Sequence, residues 1–407
     1  MSTSSRFLRQ GAALLALATA SIVATLGAFE VALRWLGYEP IYAVYSHPEI
    51  FWQRDELLGW SHTPNSEAVY VGPRPWPVEF EAPVRINSLG LRGPEIAELP
   101  EDGYRIMVLG DSLVAGFEVP WEETFTALLE AEMNREFDFP VQVINAGVRG
   151  YGTDQSYLYY KERGSRLHPD IVLFIHGLND AADNITLHRM RRIFSKGAFA
   201  LRPDGSLERA GYPIPDYPLC SEYILDSGYR PQRVDTPFEN SLCTAQTMLA
   251  DRSALFTFLS NRIREHPDLL VSLYKLGSPD GGAEVGTARM HDGLPPADWD
   301  SLSGEAPRFE LTAGILRALT REVRENGAEL ILPVIPEVWE NLDIGELVSD
   351  GVTTVEITED LERREIHYEH DSHLNPRGHE IIARLLAPAV ADRIRAHRAR
   401  IHAVSAE

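Results

Sequence analysis

The sequence predicts an α/β domain built on a parallel sheet with helices on both faces. Short apolar runs alternate with segments whose apolar residues recur at helical spacing, a pattern typical of parallel sheets. The predicted strands are 105–109, 141–144, 171–175 and 330–335. Polar motifs directly follow the first three strands. Because ligand sites of such sheets lie at the carboxyl ends of the strands, these motifs are candidate functional residues.

The predicted helices lie between and after these strands. Their apolar residues recur every three to four positions, and they span 124–137, 155–163, 311–326 and 380–391. Residues 186–305 interrupt the alternation, so we interpret them as an insertion in the domain. Within it, Asp204-Gly205 predicts a turn and 248–276 predicts a helix.

The chain divides into four parts by composition. Residues 1–37 are a short stub and an apolar segment, and 38–100 form an extension rich in Pro, Trp and Glu. Residues 101–395 form the main domain, and 396–407 form a C-terminal tail. The main domain is long enough to bury a core of its own.

The apolar segment carries no charge over residues 11–29, a length that can cross a bilayer as a helix. Arg6 and Arg9 precede it, so the positive-inside rule places the N-terminus in the cytoplasm and the main domain outside. A cleaved signal peptide is the alternative, because Ala18-Thr19-Ala20 resembles a cleavage site.

Charge and cysteine content limit the function classes. The formal net charge is −22 over 407 residues, which excludes a nucleic-acid partner that needs a basic face. Two cysteines, Cys220 and Cys243, are too few for a disulfide-built scaffold. They either pair in an oxidising compartment or stay as thiols.

Ser112 is the candidate nucleophile. It follows the strand 105–109 in a Gly-Asp-Ser turn, where a serine hydroxyl points to the carboxyl edge of the sheet. A helix-capping serine fits the same local sequence. The chain lacks a Gly-x-Ser-x-Gly elbow here because Val114 stands at the last glycine position.

Gly147 and Asn179 end the next two strands and are candidate donors to an oxyanion. A backbone amide and a side-chain amide suit that role because they are fixed dipoles that need little reorganisation. Each also has an ordinary interpretation as a turn residue.

The segment 367–376, HYEHDSHLNP, carries the candidate base. Residues two apart in an extended segment project to one side, so Asp371 can orient His373, which can take the Ser112 proton. Asn375 followed by Pro376 predicts a helix start. We interpret His367, His370 and His379 as surface or packing residues.

A metal site is the alternative for this histidine-rich segment. His379-Glu380 lacks the second histidine that a zinc-binding helix requires, because Ala383 occupies that position. We therefore expect neither a metal nor another cofactor.

Four blocks, in this order and at predicted strand ends, resemble those of the SGNH (GDSL-like) hydrolases. They are VLGDSLVAG, INAGVRGYGTDQ, GLND and DSHLNPRGH, and they carry Ser112, Gly147, Asn179 and His373. The segment 86–95, INSLGLRGPE, is similar to the lead-in of membrane-anchored bacterial members. The resemblance spans 86–190 and 310–395.

The resemblance implies a flavodoxin-like three-layer α/β/α fold and metal-free ester hydrolysis. It implies an oxyanion hole from the Ser112 N–H, the Gly147 N–H and the Asn179 side chain. The family acid usually lies three residues before the histidine, where this chain has His370; we assign Asp371 instead. It further implies a single-pass protein of the bacterial inner membrane, with the catalytic domain facing the periplasm or exterior.

The substrate is less defined than the mechanism, because the fold does not select among esters. We expect removal of acetyl or other short acyl groups from a glycan, given the location outside the membrane. A lipid or small-ester esterase and a glycan O-acetyltransferase are the alternatives. A non-catalytic glycan-binding protein is disfavoured by the complete set of candidate residues.

Overall fold

The computed structural model describes residues 3–38, 40, 51–72, 78–100, 102–226, 228–264, 305–334, 342, 344–349, 352–356 and 363–405. In chain order the strands are β1 Trp52–Asp55, β2 Gly59–His62, β3 Glu67–Gly72, β4 Phe80–Arg85, β5 Tyr104–Gly110, β6 Val141–Gly147, β7 Ile171–Phe174, β8 Thr186–His188, β9 Ala198–Leu201, β10 Leu207–Ala210, β11 Tyr223–Leu225, β12 Pro231–Arg233, β13 Glu329–Val334 and β14 Thr353–Glu356.

The α-helices vary widely in length. They are α1 Thr3–Trp35, α2 Ser112–Ala115, α3 Phe125–Glu136, α4 Thr153–Glu162, α5 Asp180–Ile185, α6 Pro237–Ala250, α7 Ala254–Arg264, α8 Glu305–Glu325, α9 Ile344–Ser349, α10 Arg363–Ile366 and α11 Pro376–Ser405.

The centre of the fold is a five-stranded parallel sheet in the order β14-β13-β7-β5-β6. Successive β5 side chains enter opposite cores because they alternate between the two faces of the sheet. Ile106 and Val108 pack with α3 and α11, and Met107 and Leu109 pack with α4 and α8. The predicted α/β/α class is confirmed, and the predicted strands 105–109, 141–144, 171–175 and 330–335 match β5, β6, β7 and β13. The domain boundaries stay a prediction.

The extension contains strands that the sequence analysis did not predict. β1 pairs antiparallel with β2, and β3 pairs antiparallel with β4. In β4 the side chains of Phe80, Ala82 and Val84 are buried and alternate with exposed ones. This period of two was a readable signal for a half-buried strand.

The helix predicted over 248–276 is wrong in its bounds. α6 already begins at Pro237, where Thr236 and Glu239 form a capping box, and it ends at Ala250. A separate helix, α7, follows after Asp251–Ser253; residues 265–276 lie outside the described residues. Cys220 and Cys243 are joined in a disulfide, which ties α6 to the segment before β11.

The N-terminal helix α1 contains one candidate membrane span, Gly11–Trp35, whose most apolar 18-residue window has a mean hydropathy of 2.0 and is not buried against the protein. Its length and composition fit either a membrane span or a signal sequence.

Candidate active site

Ser112 lies at the carboxyl end of β5, in a turn that depends on glycine. Gly110 has φ +153°, and a Cβ there would lie 2.6 Å from the Val114 side chain and 3.0 Å from the Ile175 carbonyl. Asp111 then caps α2, its Oδ1 accepting the Leu113 N–H at 2.9 Å. Ser112, half-buried, is the first residue of α2.

The loop before α11 brings His373 to Ser112. His373 Nε2 lies 2.9 Å from Ser112 Oγ, and His373 Nδ1 makes a short hydrogen bond with Asp371 Oδ1. Three side chains, separated by up to 261 residues, therefore form one chain of hydrogen bonds. This is the arrangement of a serine nucleophile, a base and an orienting acid.

Asp371 reaches His373 through a turn instead of an extended segment. Its Oδ1 also accepts the backbone N–H of His373 at 2.9 Å, which is the geometry of an Asx turn. The expected contact is present, but the local conformation that produces it differs from the expectation. The backbone N–H and the imidazole of His373 bond the same Asp371 oxygen. This shared contact fixes the imidazole ring relative to the His373 backbone.

Two anchors hold this loop. Asn375 Oδ1 accepts the Gly378 N–H at 2.9 Å, so Asn375 caps α11 as its position before Pro376 predicted. On the other side Glu79 accepts the backbone N–H groups of Glu369 and His370. His379 is buried and accepts the N–H of Phe125, in agreement with a packing role.

Glu118 and Arg149 also lie beside His373, although neither was predicted as a site residue. The Glu118 carboxylate is 1% exposed, lies 3.5 Å from His373 Nδ1, and forms an ion pair with Arg149. Arg149 stacks over the Tyr70 ring at 5.2 Å. A lone acidic residue between Phe117 and Val119 was the available signal, since a buried charge requires a partner.

Burial and nearby charges set the pKa values of His373 and Asp371. Burial lowers the pKa of His373, but the charge of Glu118 and the bond to Asp371 outweigh it and raise the pKa above 6.5. Burial acts to raise the pKa of Asp371, but the hydrogen bond and charge of His373 bring it below 3.8. The site therefore favours a charged imidazolium beside a charged carboxylate.

Residues 108–205 match the model of the GDSL-like Lipase/Acylhydrolase family. They run from β5 into the insertion and include Ser112, Gly147 and Asn179. This segment is therefore similar to the GDSL-like lipase/acylhydrolase family. Near its start the segment contains the Gly-Asp-Ser-Leu sequence at Gly110 to Leu113. No curated protein sequence matches the chain.

Solved structures similar to this hydrolase include a lipolytic protein and two esterases. A putative lipolytic protein of the G-D-S-L family from Desulfitobacterium hafniense is 8% identical, with 70% of this chain and 98% of that chain covered and a TM-score of 0.33. The esterase EstA from Pseudoalteromonas sp. is 12% identical, with 72% and 98% covered and a TM-score of 0.36. A catalytic mutant of the acetylxylan esterase Axe2 from Geobacillus stearothermophilus is 11% identical, with 71% and 94% covered and a TM-score of 0.33.

The Gly147 amide of the hydrolase is already occupied. Its N–H donates to Asn145 Oδ1 at 3.1 Å, and a Cβ at this position would lie 2.5 Å from the Ala115 nitrogen. Gly147 therefore permits close packing of β6 under α2. Three residues later Gly150 has φ +77°, and its N–H has no acceptor among the described residues. Its neighbour Arg149 contacts Glu118 beside His373.

Asn179 follows β7 and is held by carboxylates. Its Nδ2 donates to Asp183 Oδ2 at 2.6 Å, and its side chain also hydrogen-bonds to Asp111. Burial, followed by the charge of Asp180, raises the pKa of Asp111 from 3.8 to about 6. The amide thus sits at the carboxyl edge of the sheet with its orientation fixed by its neighbours.

Two side-chain groups have donors close enough for a metal ion. They are Glu118 with Asp371 and His373, and Glu79 with Glu369 and His370; in the described part of the chain neither group includes His367. In the first group Arg149 already neutralises Glu118. In the second, Glu79 accepts backbone N–H groups. Both carboxylates therefore have protein partners.

We expect chelation to leave ester hydrolysis unchanged, because the hydrogen-bonded chain from Ser112 to Asp371 needs no ion. The measurement is the rate of p-nitrophenyl acetate hydrolysis before and after EDTA dialysis. Loss of activity that zinc restores would instead assign a metal to one of the two groups.

Proposed function

We propose that this GDSL-like hydrolase is an extracytoplasmic serine esterase that removes acetyl or other short acyl groups from a glycan. The observation that carries the proposal is the chain of hydrogen bonds from Ser112 through His373 to Asp371. In this mechanism His373 accepts the Ser112 proton while Oγ attacks the ester carbonyl. The alcohol leaves with that proton, and water, activated by the same imidazole, hydrolyses the acyl-enzyme.

Asp371 holds the tautomer in which Nδ1 carries the proton and Nε2 faces Ser112. It then stabilises the imidazolium that forms during attack. Glu118 contributes a second negative charge near Nδ1, and Arg149 keeps that buried carboxylate paired.

Hydrogen-bond donors must meet the developing oxyanion. We assign this role to the Ser112 N–H and the Asn179 side chain, as the family resemblance implies. The Asn179 amide, which now donates to Asp183 and Asp111, must give up one of these bonds to donate to the oxyanion. The Gly147 N–H, expected as the third donor, could bind the oxyanion only if it broke its hydrogen bond to Asn145 Oδ1. We propose the unoccupied Gly150 amide in its place, since its loop passes beside Glu118 and His373. Fixed amides of this kind lower the barrier because they are oriented before charge develops.

The location outside the cytoplasm rests on two features. The apolar span is preceded by Arg6 and Arg9, which favours a cytoplasmic N-terminus. The Cys220–Cys243 disulfide fits an oxidising compartment. We therefore propose a single-pass anchor with the catalytic domain on the outer side; secretion after signal cleavage is the alternative.

Acyl-chain preference tests the substrate class. We expect the highest kcat/KM for the acetyl ester in a series of p-nitrophenyl esters of increasing chain length. Acetate release from acetylated xylan or acetylated peptidoglycan should accompany it. Preference for long chains would favour the lipid esterase, and acetyl transfer to an added glycan in place of water would favour the acetyltransferase.

The pH profile tests the electrostatic role of Glu118. The base must be neutral, and its raised pKa means that the imidazole protonates already above pH 6.5 as the pH falls. The acidic limb of kcat/KM should therefore have its midpoint above 6.5. Glu118→Gln removes the charge that raises this pKa, so the midpoint should move to lower pH.

The control is Glu122→Gln, which removes a neighbouring exposed carboxylate. It should leave the midpoint of the acidic limb of kcat/KM unchanged. An unchanged midpoint in folded Glu118→Gln would show that Glu118 does not set the protonation of His373.

A further inference from the structure

Helix α6 presents its polar face to the protein. Asn240 donates to the Cys220 carbonyl, and Gln246 accepts from Arg191. Cys243 lies on the same face and forms the disulfide with Cys220. Polar groups and a covalent bond thus fix the orientation of α6 against the body of the domain.

The opposite face of α6 is apolar and exposed. The exposed fractions are 56% for Phe238, 41% for Leu242, 55% for Met248 and 48% for Leu249. Phe238, Leu242 and Leu249 follow the i, i+4, i+11 spacing of one helical stripe. A surface helix in water normally has the reverse arrangement, with its apolar side inward. The outward face of α6 is therefore suited to an apolar medium.

Helix α7, which follows α6 directly, is bound to the apolar helix α1. The Glu30 carboxylate accepts the N–H groups of Ala254 and Leu255 at 2.9 and 2.8 Å and the Ser253 hydroxyl at 2.8 Å. It thereby satisfies amide groups at the start of α7 that have no helical partner. Arg34 adds a 2.7 Å bond to the Arg252 carbonyl.

These contacts fix the position of α6 along the axis of the span Gly11–Trp35. Glu30 and Arg34 belong to the last two turns of that span, and only Asp251–Ser253 separate α6 from α7. Trp35, 86% exposed, follows at the end of the span, where indole rings favour the membrane interface. The carboxyl end of α6 is therefore held near the outer end of the span.

We propose that the apolar face of α6 lies in the outer interface of the bilayer that α1 spans. The inference rests on the anchoring proposed above. Helices with one apolar face bind in the plane of this interface by burying that face at the headgroup boundary. The net charge of −22 weakens attraction to anionic lipid, so insertion of apolar side chains carries the contact. The catalytic domain then has a fixed orientation to the membrane.

Photo-crosslinking of the full chain in nanodiscs of zwitterionic lipid tests the contact. The variant Leu242→p-benzoylphenylalanine places a photoreactive group on the apolar face. The control, Glu132→p-benzoylphenylalanine, replaces an exposed side chain on α3. It lies near the amino edge of the sheet, because Asn134, two residues later, bonds the backbone of Val141 at the start of β6. We expect lipid adducts at position 242 severalfold above those at 132, measured by mass spectrometry on protein that retains esterase activity.

A third variant, Leu17→p-benzoylphenylalanine, reports on the anchor, since Leu17 lies in the span and is 65% exposed. Lipid adducts at 17 without adducts at 242 above the control would overturn the inference and leave the anchoring intact. Adducts at neither position would overturn both. Crosslinks from 242 to a second copy or to another protein, in place of lipid, would assign this face to a protein interface and also overturn the inference.

Discussion

Ser112→Ala should abolish ester hydrolysis while the protein stays folded. Removal of the nucleophile from a Ser-His-Asp arrangement costs on the order of 10⁶ in kcat, because the oxyanion donors alone provide only the residual rate. Ser112 is half-buried, and the helix that it begins is capped by Asp111. Loss of the Ser112 hydroxyl should therefore change the free energy of unfolding little. The measurements are kcat on p-nitrophenyl acetate and a thermal unfolding curve.

An organophosphonate supplies the independent measurement. It should modify Ser112 alone in the active protein and leave Ser112→Ala unmodified, as detected by mass spectrometry. A folded Ser112→Ala protein that kept its activity, or an active protein without an adduct at Ser112, would remove the nucleophile assignment.

The strands, and the positions of the main candidate residues at the strand ends, were predictable because their signals are local. β5, β6 and β7 are buried on both faces, so each is a short apolar run. Ser112 lies two residues after the end of β5, and Asn179 lies five residues after the end of β7. The helix start at Pro376 was predictable from Asn375. Only the pairing of Asp371 with His373 needed a spacing argument, and the turn that achieves it was not foreseen.

The remaining features depend on residues far apart in the chain. Glu118 and Arg149 are separated by 31 residues and meet only because two loops converge at one edge of the sheet. Glu30 and Ser253 are separated by 223 residues. No periodicity or motif records such pairs. The apolar neighbours of Glu118 indicate that it is buried, but nothing in the sequence identifies Arg149 as its partner.

The remaining large effect concerns the acid. Asp371→Asn should lower kcat about 10⁴-fold, because an amide can present its N–H to Nδ1 and so favour the wrong imidazole tautomer. The loop should stay in place, because Asn375 and Glu79 anchor it on its two sides. His370→Ala should cost less than about tenfold, because a histidine cannot supply the negative charge that stabilises the His373 imidazolium.

Glu118 is the alternative candidate for the acid that orients His373, because its carboxylate lies 3.5 Å from His373 Nδ1, the nitrogen that Asp371 also contacts. If Asp371 orients the ring and Glu118 only tunes its charge, Glu118→Gln should shift the pH profile and lower the maximal kcat far less than Asp371→Asn. The comparison uses kcat at the plateau of each pH profile, so that a shifted pKa is not mistaken for a lost catalytic group. A mild Asp371→Asn beside a nearly inactive Glu118→Gln would transfer the orienting role to Glu118. Two mild variants beside an inactive His373→Ala would leave a Ser112–His373 dyad in which neither carboxylate is essential.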